Sequence, residues 1–221
     1  MHTARTVAAM PIGVSVLLAP SRTAIVTSEV QNGVVGEPSA LPALAQEARA
    51  AMLPNLARLL PVARAAGVQV VHCTAFRRAD GKGANSNARL FAGVRKSPVA
   101  LLPGTSAVAV VPELGPEPED LVLTRTHGLS PMAGTDLDPV LRNLGIGTIV
   151  VTGVSVNVAI TNLVMDAVNH GYSVVLPRDA VAGWPRDYAN AVIDNTLSVL
   201  AWVVTTDDLI TAWNRSAPSP R

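Results

Sequence analysis

The stretch that most limits what this chain can fold into is residues 148–179, TIVVTGVSVNVAITNLVMDAVNHGYSVVLPRD. A β-branched run at 148–152 turns at Gly153, a helical pattern covers 157–170, and a second β-branched run starts at Tyr172 after Gly171. Strand, tight turn, helix and strand within about 30 residues make a βαβ unit, whose crossover is right-handed and whose strands need cover on both faces. In such units a ligand sits beyond the carboxyl end of the strand, against the free N–H groups of the following helix. That place is residues 153–159, where the sequence predicts a pocket.

The remaining pattern repeats this alternation. Residues 23–28, TAIVTS, read as a buried parallel strand ending at Glu29, Gln31, Asn32 and Gly33. From 41 to 66 apolar residues recur at helical spacing, with Pro54 set to kink or divide the segment and Gly67 placed to end it. Strands are predicted at 68–74 and 121–124, a short edge strand at 14–18, a helix from 135 to 144 capped by Asp or Thr, and a helix over 181–200. A last strand covers 202–205 and a last helix 206–213. The polar stretch 76–104 is long for a connection in a compact domain, and such excursions serve as lids or interface arms. Residues 1–13 read as a loose arm, 14–213 as one domain and 214–221 as a disordered tail. The result is an α/β fold, a three-layer α/β/α sandwich around a mainly parallel sheet.

Composition narrows the function. A net charge of +1 without a basic cluster disfavours nucleic acid as a partner, since neutralising phosphates needs grouped cations. No apolar run reaches the roughly 20 residues of a membrane span, and Pro11 and Gly13 interrupt the one stretch that resembles a secretory signal. One cysteine, Cys73, excludes an internal disulfide and fits a cytoplasmic location. Cys73 falls inside a predicted strand beside His72, where a buried, inert thiol is the ordinary reading. At the strand ends stand Glu29, suited to general acid or base work, and Arg125, Thr126 and His127. Arg125 could pair with Glu29 or a substrate carboxylate, and His127 could bond a ligand or relay a proton. Ser155 and Thr124 add hydroxyls, and Asn157 reads as a helix cap before it reads as a substrate contact.

The segments TAIVTSEVQNG, HGLSPMAGTDLDPVLRNLGIGTIVVTGVSVNV and DAVNHGYSVVLPRDAVAG are similar to those of the isochorismatase-like hydrolases, also called the cysteine hydrolase family. The resemblance spans residues 23–209 and implies the same α/β/α fold. It also implies hydrolysis of a C–N or ether bond by an aspartate, a lysine and a cysteine. Here Glu29 stands at the aspartate position, Thr126 matches the lysine by spacing, and Ala159 stands where the cysteine follows the turn. An alanine methyl cannot attack, so thioester chemistry at 159 is excluded, while the amides near Val158 and Ala159 remain able to hold an anion. The resemblance further implies a cis peptide between Val154 and Ser155, and a homodimer or homotetramer with contacts from 77–104, Trp184 or Trp213. Metal-dependent relatives place an Asp and closely spaced His residues after the second strand. Here Arg77, Arg78 and a lone Asp80 occupy that region, so no metal and no cofactor is expected.

Two functions follow. One is a hydrolase with an altered triad of Glu29, Thr126 and Ala159, acting on a small polar or cyclic metabolite by non-covalent acid/base chemistry. Its catalytic set is Glu29, His127 and Arg125, with substrate contacts from Gln31, Thr126, Ser155, Asn157, Val158 and Ala159. The other is a catalytically inactive small-molecule binding or scaffold protein. A thiol enzyme built on Cys73 is a third, weaker reading.

Overall fold

Six near-consecutive β-branched or small residues give the first central strand, β1 (Thr23–Ser28), which is buried along its whole length. In a computed structural model that describes residues 12–216, it is flanked by β2 (Gln69–Ala75) and β4 (Thr148–Val154). Beyond these lie β3 (Leu121–Arg125), β5 (Ser173–Pro177) and β7 (Trp202–Val204), in the order β3-β2-β1-β4-β5-β7. The two-residue β6 (Val181–Ala182) pairs with the end of β4. Every strand pair is parallel, and the chain turns outward in both directions from β1 and β4. The carboxyl ends of those two strands therefore form the crevice at the topological switch point.

Side chains alternate across the sheet and define two cores. Ile25, Val70, Val150 and Val175 pack beneath α1 (Ile12–Leu17), α2 (Asn32–Val35), α3 (Pro42–Glu47), α4 (Leu53–Ala65) and α9 (Thr206–Ser216). Val26, Val71, Ile149 and Val174 pack beneath α6 (Leu137–Asn143), α7 (Thr161–Asn169) and α8 (Arg186–Asn195). The last helix, α5 (Arg89–Arg95), lies in the 76–104 excursion. The three-layer α/β/α sandwich is thus present.

Several local expectations change. Residues 14–17 form part of α1 and Leu18 is the turn that follows it, so there is no edge strand here. Val14 and Leu18, one helical turn apart, are buried while Val16 is 76% exposed, which is the one-sided burial of a helix. The single helix expected over 181–200 is β6, α8 and a short 3-10 turn at Leu197–Val199, because Pro185 occupies the N-cap of α8 and sets its start. Pro54 does divide its segment: a π-turn, Ala48–Met52, separates α3 from α4, a wide turn where proline cannot donate its amide. Gly67 has φ 83° and closes α4, with Gly67 N bonded to Arg64 O and Val68 N to Ala63 O. Thr135 rather than Asp136 caps α6, accepting from Leu137 N at 3.2 Å. Trp213, expected at an interface, is buried with its indole N–H on Leu18 O at 3.1 Å. The N-terminal arm and C-terminal tail fall mainly outside the described residues; within them, residues 12–13 and 214–216 are helical.

A polar chain crosses the first core. Thr27 Oγ1 and His72 Nδ1 are 2.8 Å apart, and His72 Nε2 lies 3.3 Å from Asp120 Oδ2, which also takes Arg64 Nη2 at 2.6 Å. A neutral imidazole fits this chain, accepting from the threonine and donating to the carboxylate. Burial holds the His72 pKa below its ordinary value, against the opposing pull of Asp120. The unfolded chain therefore takes up a proton near pH 6.5 that the folded chain refuses, and stability falls as pH drops below that value. The expected result is a melting temperature that falls between pH 7.5 and 5.5 more steeply in the native protein than in His72→Gln. Equal slopes would remove His72 as the cause.

Candidate active site

Three strand ends and the 76–104 excursion enclose a cavity of about 200 Å³. At the end of β1, Glu29 adopts the left-handed conformation with φ 54°, the single described non-glycine residue to do so. This conformation costs on the order of 1 kcal/mol or more for a residue with a Cβ, and such strain concentrates at functional positions. It is held by the bond from Glu29 N to Cys73 O, 2.8 Å. At the end of β3, Arg125 is 7% exposed and directs Nη2 to Glu29 Oε1 and to Leu129 O (3.3 Å). Its Nε and Nη1 are buried with no acceptor. Thr126 and His127 follow on an exposed loop and line the cavity.

The third wall comes from β4. Gly153 has φ 98°, and a Cβ there would stand 2.3 Å from Ser28 O, so only glycine lets the turn pass against β1. The peptide between Val154 and Ser155 is cis, as the resemblance implies. Ser155 reaches the cavity from just before a π-turn, Val156–Ile160, that opens α7, and Val158 and Ala159 reach it from within that turn. Ala159, 5% exposed, shares this cavity with Glu29 and Arg125.

Some expected contacts are not made. Gln31 is fully buried and staples backbone instead: Oε1 accepts from Ala75 N at 2.7 Å, and Nε2 donates to Ala75 O at 2.9 Å and to Ala107 O at 3.3 Å. It holds the ends of β1 and β2 together and does not line the cavity. Asn157 turns away as well, donating to Trp184 O at 2.7 Å, and neither caps the helix nor lines the cavity. Of the two amides expected to hold an anion, that of Val158 is already bonded to Ser155 O at 3.1 Å. Arg125 does pair with Glu29, one of the two partners expected for it, while Thr126 stays on the exposed loop. Thr124 Oγ1 is bonded to Thr74 Oγ1 at 2.8 Å. Asp80 is engaged with Arg78 at 2.8 Å. Among the described residues no group of three or more His, Cys, Asp or Glu side chains gathers where it could hold a metal.

The apolar walls escaped the sequence reading. Val34, Leu41 and Leu44 line the cavity together with Phe76, Phe91 and Leu101 from the excursion. Arg77 N to Leu101 O (2.9 Å) closes the excursion on itself, and Phe76 N to Arg125 O (3.1 Å) and Gly128 N to Asn85 Oδ1 (2.7 Å) tie it to the rest of the fold. Its signal was present as aromatic and aliphatic residues scattered through a polar segment, but without a period to aim them.

Several known proteins are similar to this chain. The model of the isochorismatase domain matches residues 23–208. The ureidoacrylate amidohydrolase RutB of Agrobacterium fabrum is 31% identical over 219 residues, covering 92% of this chain and 95% of the relative. Its counterpart from Rhizobium rhizogenes is 30% identical over 92% of this chain and 88% of the relative. Among solved structures, a cysteine hydrolase from Pseudomonas syringae pv. phaseolicola superposes with a TM-score of 0.78 at 27% identity, covering 89% of this chain and 94% of that one. An isochorismatase family protein from Burkholderia thailandensis gives 0.72 at 29% identity, covering 88% and 96%.

Two outcomes follow from these positions. Burial pushes the Cys73 thiol up to about 12, and Cys73 does not line the cavity. At pH 8 such a group holds roughly 10³-fold less thiolate than a free cysteine. Iodoacetamide should leave the native thiol unlabelled while urea exposes it to rapid labelling; fast native labelling would return Cys73 to the list of reactive groups. Gln31→Ala strands the Ala75 amide and should lower unfolding free energy by about 1–3 kcal/mol in urea titration. A change under 0.5 kcal/mol, on the order of a surface substitution, would deny the staple.

Proposed function

The chain belongs to the isochorismatase family of hydrolases, and from that premise we propose that it hydrolyses a small molecule without a cysteine nucleophile. The observation that carries this reading is the Glu29 carboxylate, set against Arg125 in a cavity whose other wall carries the Ala159 methyl at a helix start. Ala159 takes the place of the attacking sulfur, and Arg125 rather than Thr126 takes the cationic role. The names of the curated relatives specify an amidohydrolase, and amide-type C–N cleavage is the reaction carried over here.

The chemistry is general acid/base. Glu29 accepts a proton from a water molecule as that water's oxygen bonds to the substrate carbonyl carbon. The proton then passes from Glu29 to the departing nitrogen as the C–N bond breaks, so the carboxylate is regenerated and nothing is left on the protein. Arg125 fixes the orientation of the carboxylate, and the helix-start turn at Ser155 and Ala159 faces the developing oxyanion. His127, on the rim, is placed to exchange protons with solvent.

Glu29→Gln keeps an acceptor for Arg125 and removes the base. It should lower turnover at least ~100-fold on any amide the native protein cleaves, the lower range of what a positioned acid/base contributes. Undiminished turnover would take Glu29 out of the mechanism. The absence of a nucleophile at Ala159 also favours a second reading, a binding protein. It requires saturable ligand binding with no cleavage of any compound in an amide and ester panel, and measured Glu29-dependent cleavage would end it.

A further inference from the structure

Taking the cavity above as the ligand site, we propose that its ligand is a carboxylate with an apolar body, an aromatic ring or branched alkyl chain, rather than a uniformly polar metabolite. The walls set the body. Val34, Leu41, Leu44, Phe76, Phe91 and Leu101 all line the cavity, and none of these side chains offers a hydrogen bond. A polar group brought between them would lose its water without replacement, which penalises hydroxylated or ureido-bearing bodies.

Charge sets the head. The cavity lining contains Arg77, Arg95 and Arg125, and Glu29 is its single carboxylate. Glu29 is taken by Arg125. Neither Arg77 nor Arg95 has a carboxylate partner among the described residues; Arg95 Nη1 donates to Asn85 O at 3.4 Å. Two uncompensated cations beside low-dielectric walls attract an anion from solvent. Guanidinium groups match the two oxygens of a carboxylate in particular. Arg125 adds a second, independent sign: its Nε and Nη1 remain without acceptors although the side chain is more than nine-tenths buried. Buried donors are normally satisfied, so these two leave the guanidinium charge under the cavity balanced by Glu29 alone.

The test is calorimetric titration of the full chain with four compounds: 3-phenylpropionate, 4-methylpentanoate, 3-phenylpropionamide and propionate. At least one of the two apolar acids should bind ~10-fold or more tighter than both the amide and propionate, within the range that one group contributes in a fitted pocket. The Arg77→Gln/Arg95→Gln variant should erase the preference for acid over amide while the amide's own affinity stays put. Phe91→Ala should weaken both phenyl compounds. Binding of propionate or the amide within threefold of the apolar acids overturns the proposal, as does failure of both acids to bind. Because these readouts need no turnover, the two readings separate. Acid binding as expected with full activity in Glu29→Gln would sink the acid/base mechanism alone. Glu29-dependent turnover with no acid preference would sink the ligand class alone.

Discussion

Everything at the site depends on how closely β1 and β4 approach at their carboxyl ends. Ser28 and Gly153 are register partners, and the glycine's missing Cβ leaves room for the Ser28 carbonyl. A side chain there would push the turn away from Glu29 and carry the start of α7 with it. The sheet order makes this junction the switch point, where helices depart to opposite faces and leave a crevice. Gln31 then fastens the neighbouring junction by satisfying both backbone groups of Ala75. Two strand ends are thus locked by backbone contacts before any substrate-facing group is placed.

The site built on that frame combines a charged floor with apolar walls. An ion pair beside hydrophobic residues is stronger than one in water and also dearer to desolvate. Glu29 keeps part of its side chain accessible while Arg125 is buried beneath it, so the carboxylate faces the cavity and the guanidinium supports it. The 76–104 excursion contributes Phe76, Phe91 and Leu101 to the apolar walls and Arg77 and Arg95 to the lining.

Much of the fold was legible in the sequence because parallel strands buried on both faces leave long β-branched runs, and 23–28 and 148–152 are such runs. The pocket's place followed from the same unit. What the sequence hid was orientation. Residues 14–18 contain valines and leucines that fit either a strand or a helix, and packing under α9 decided for the helix. Gln31 and Asn157 sit at pocket-forming turns, but their side chains were claimed by Ala75 and by Trp184, partners far away in the chain. Long-range backbone acceptors leave no mark on local sequence.

The pairing of Glu29 with Arg125, one of the two partners that the sequence offered for this arginine, has a geometric cause. Motif spacing pointed to Thr126, but alternation along β3 places Leu121, Leu123 and Arg125 on the inward side, leaving Thr126 exposed on the loop. Reach then decides the rest. β1 and β3 are not neighbours; β2 lies between them, so their axes are separated by two strand spacings, roughly 10 Å. A threonine cannot span that gap, whereas a glutamate and an arginine together can, passing over the end of β2. The path explains why Cys73, on β2, feels both charges. It also gives the longer carboxylate at position 29 a physical reason: with the cation held at 125, two long side chains are what close the distance.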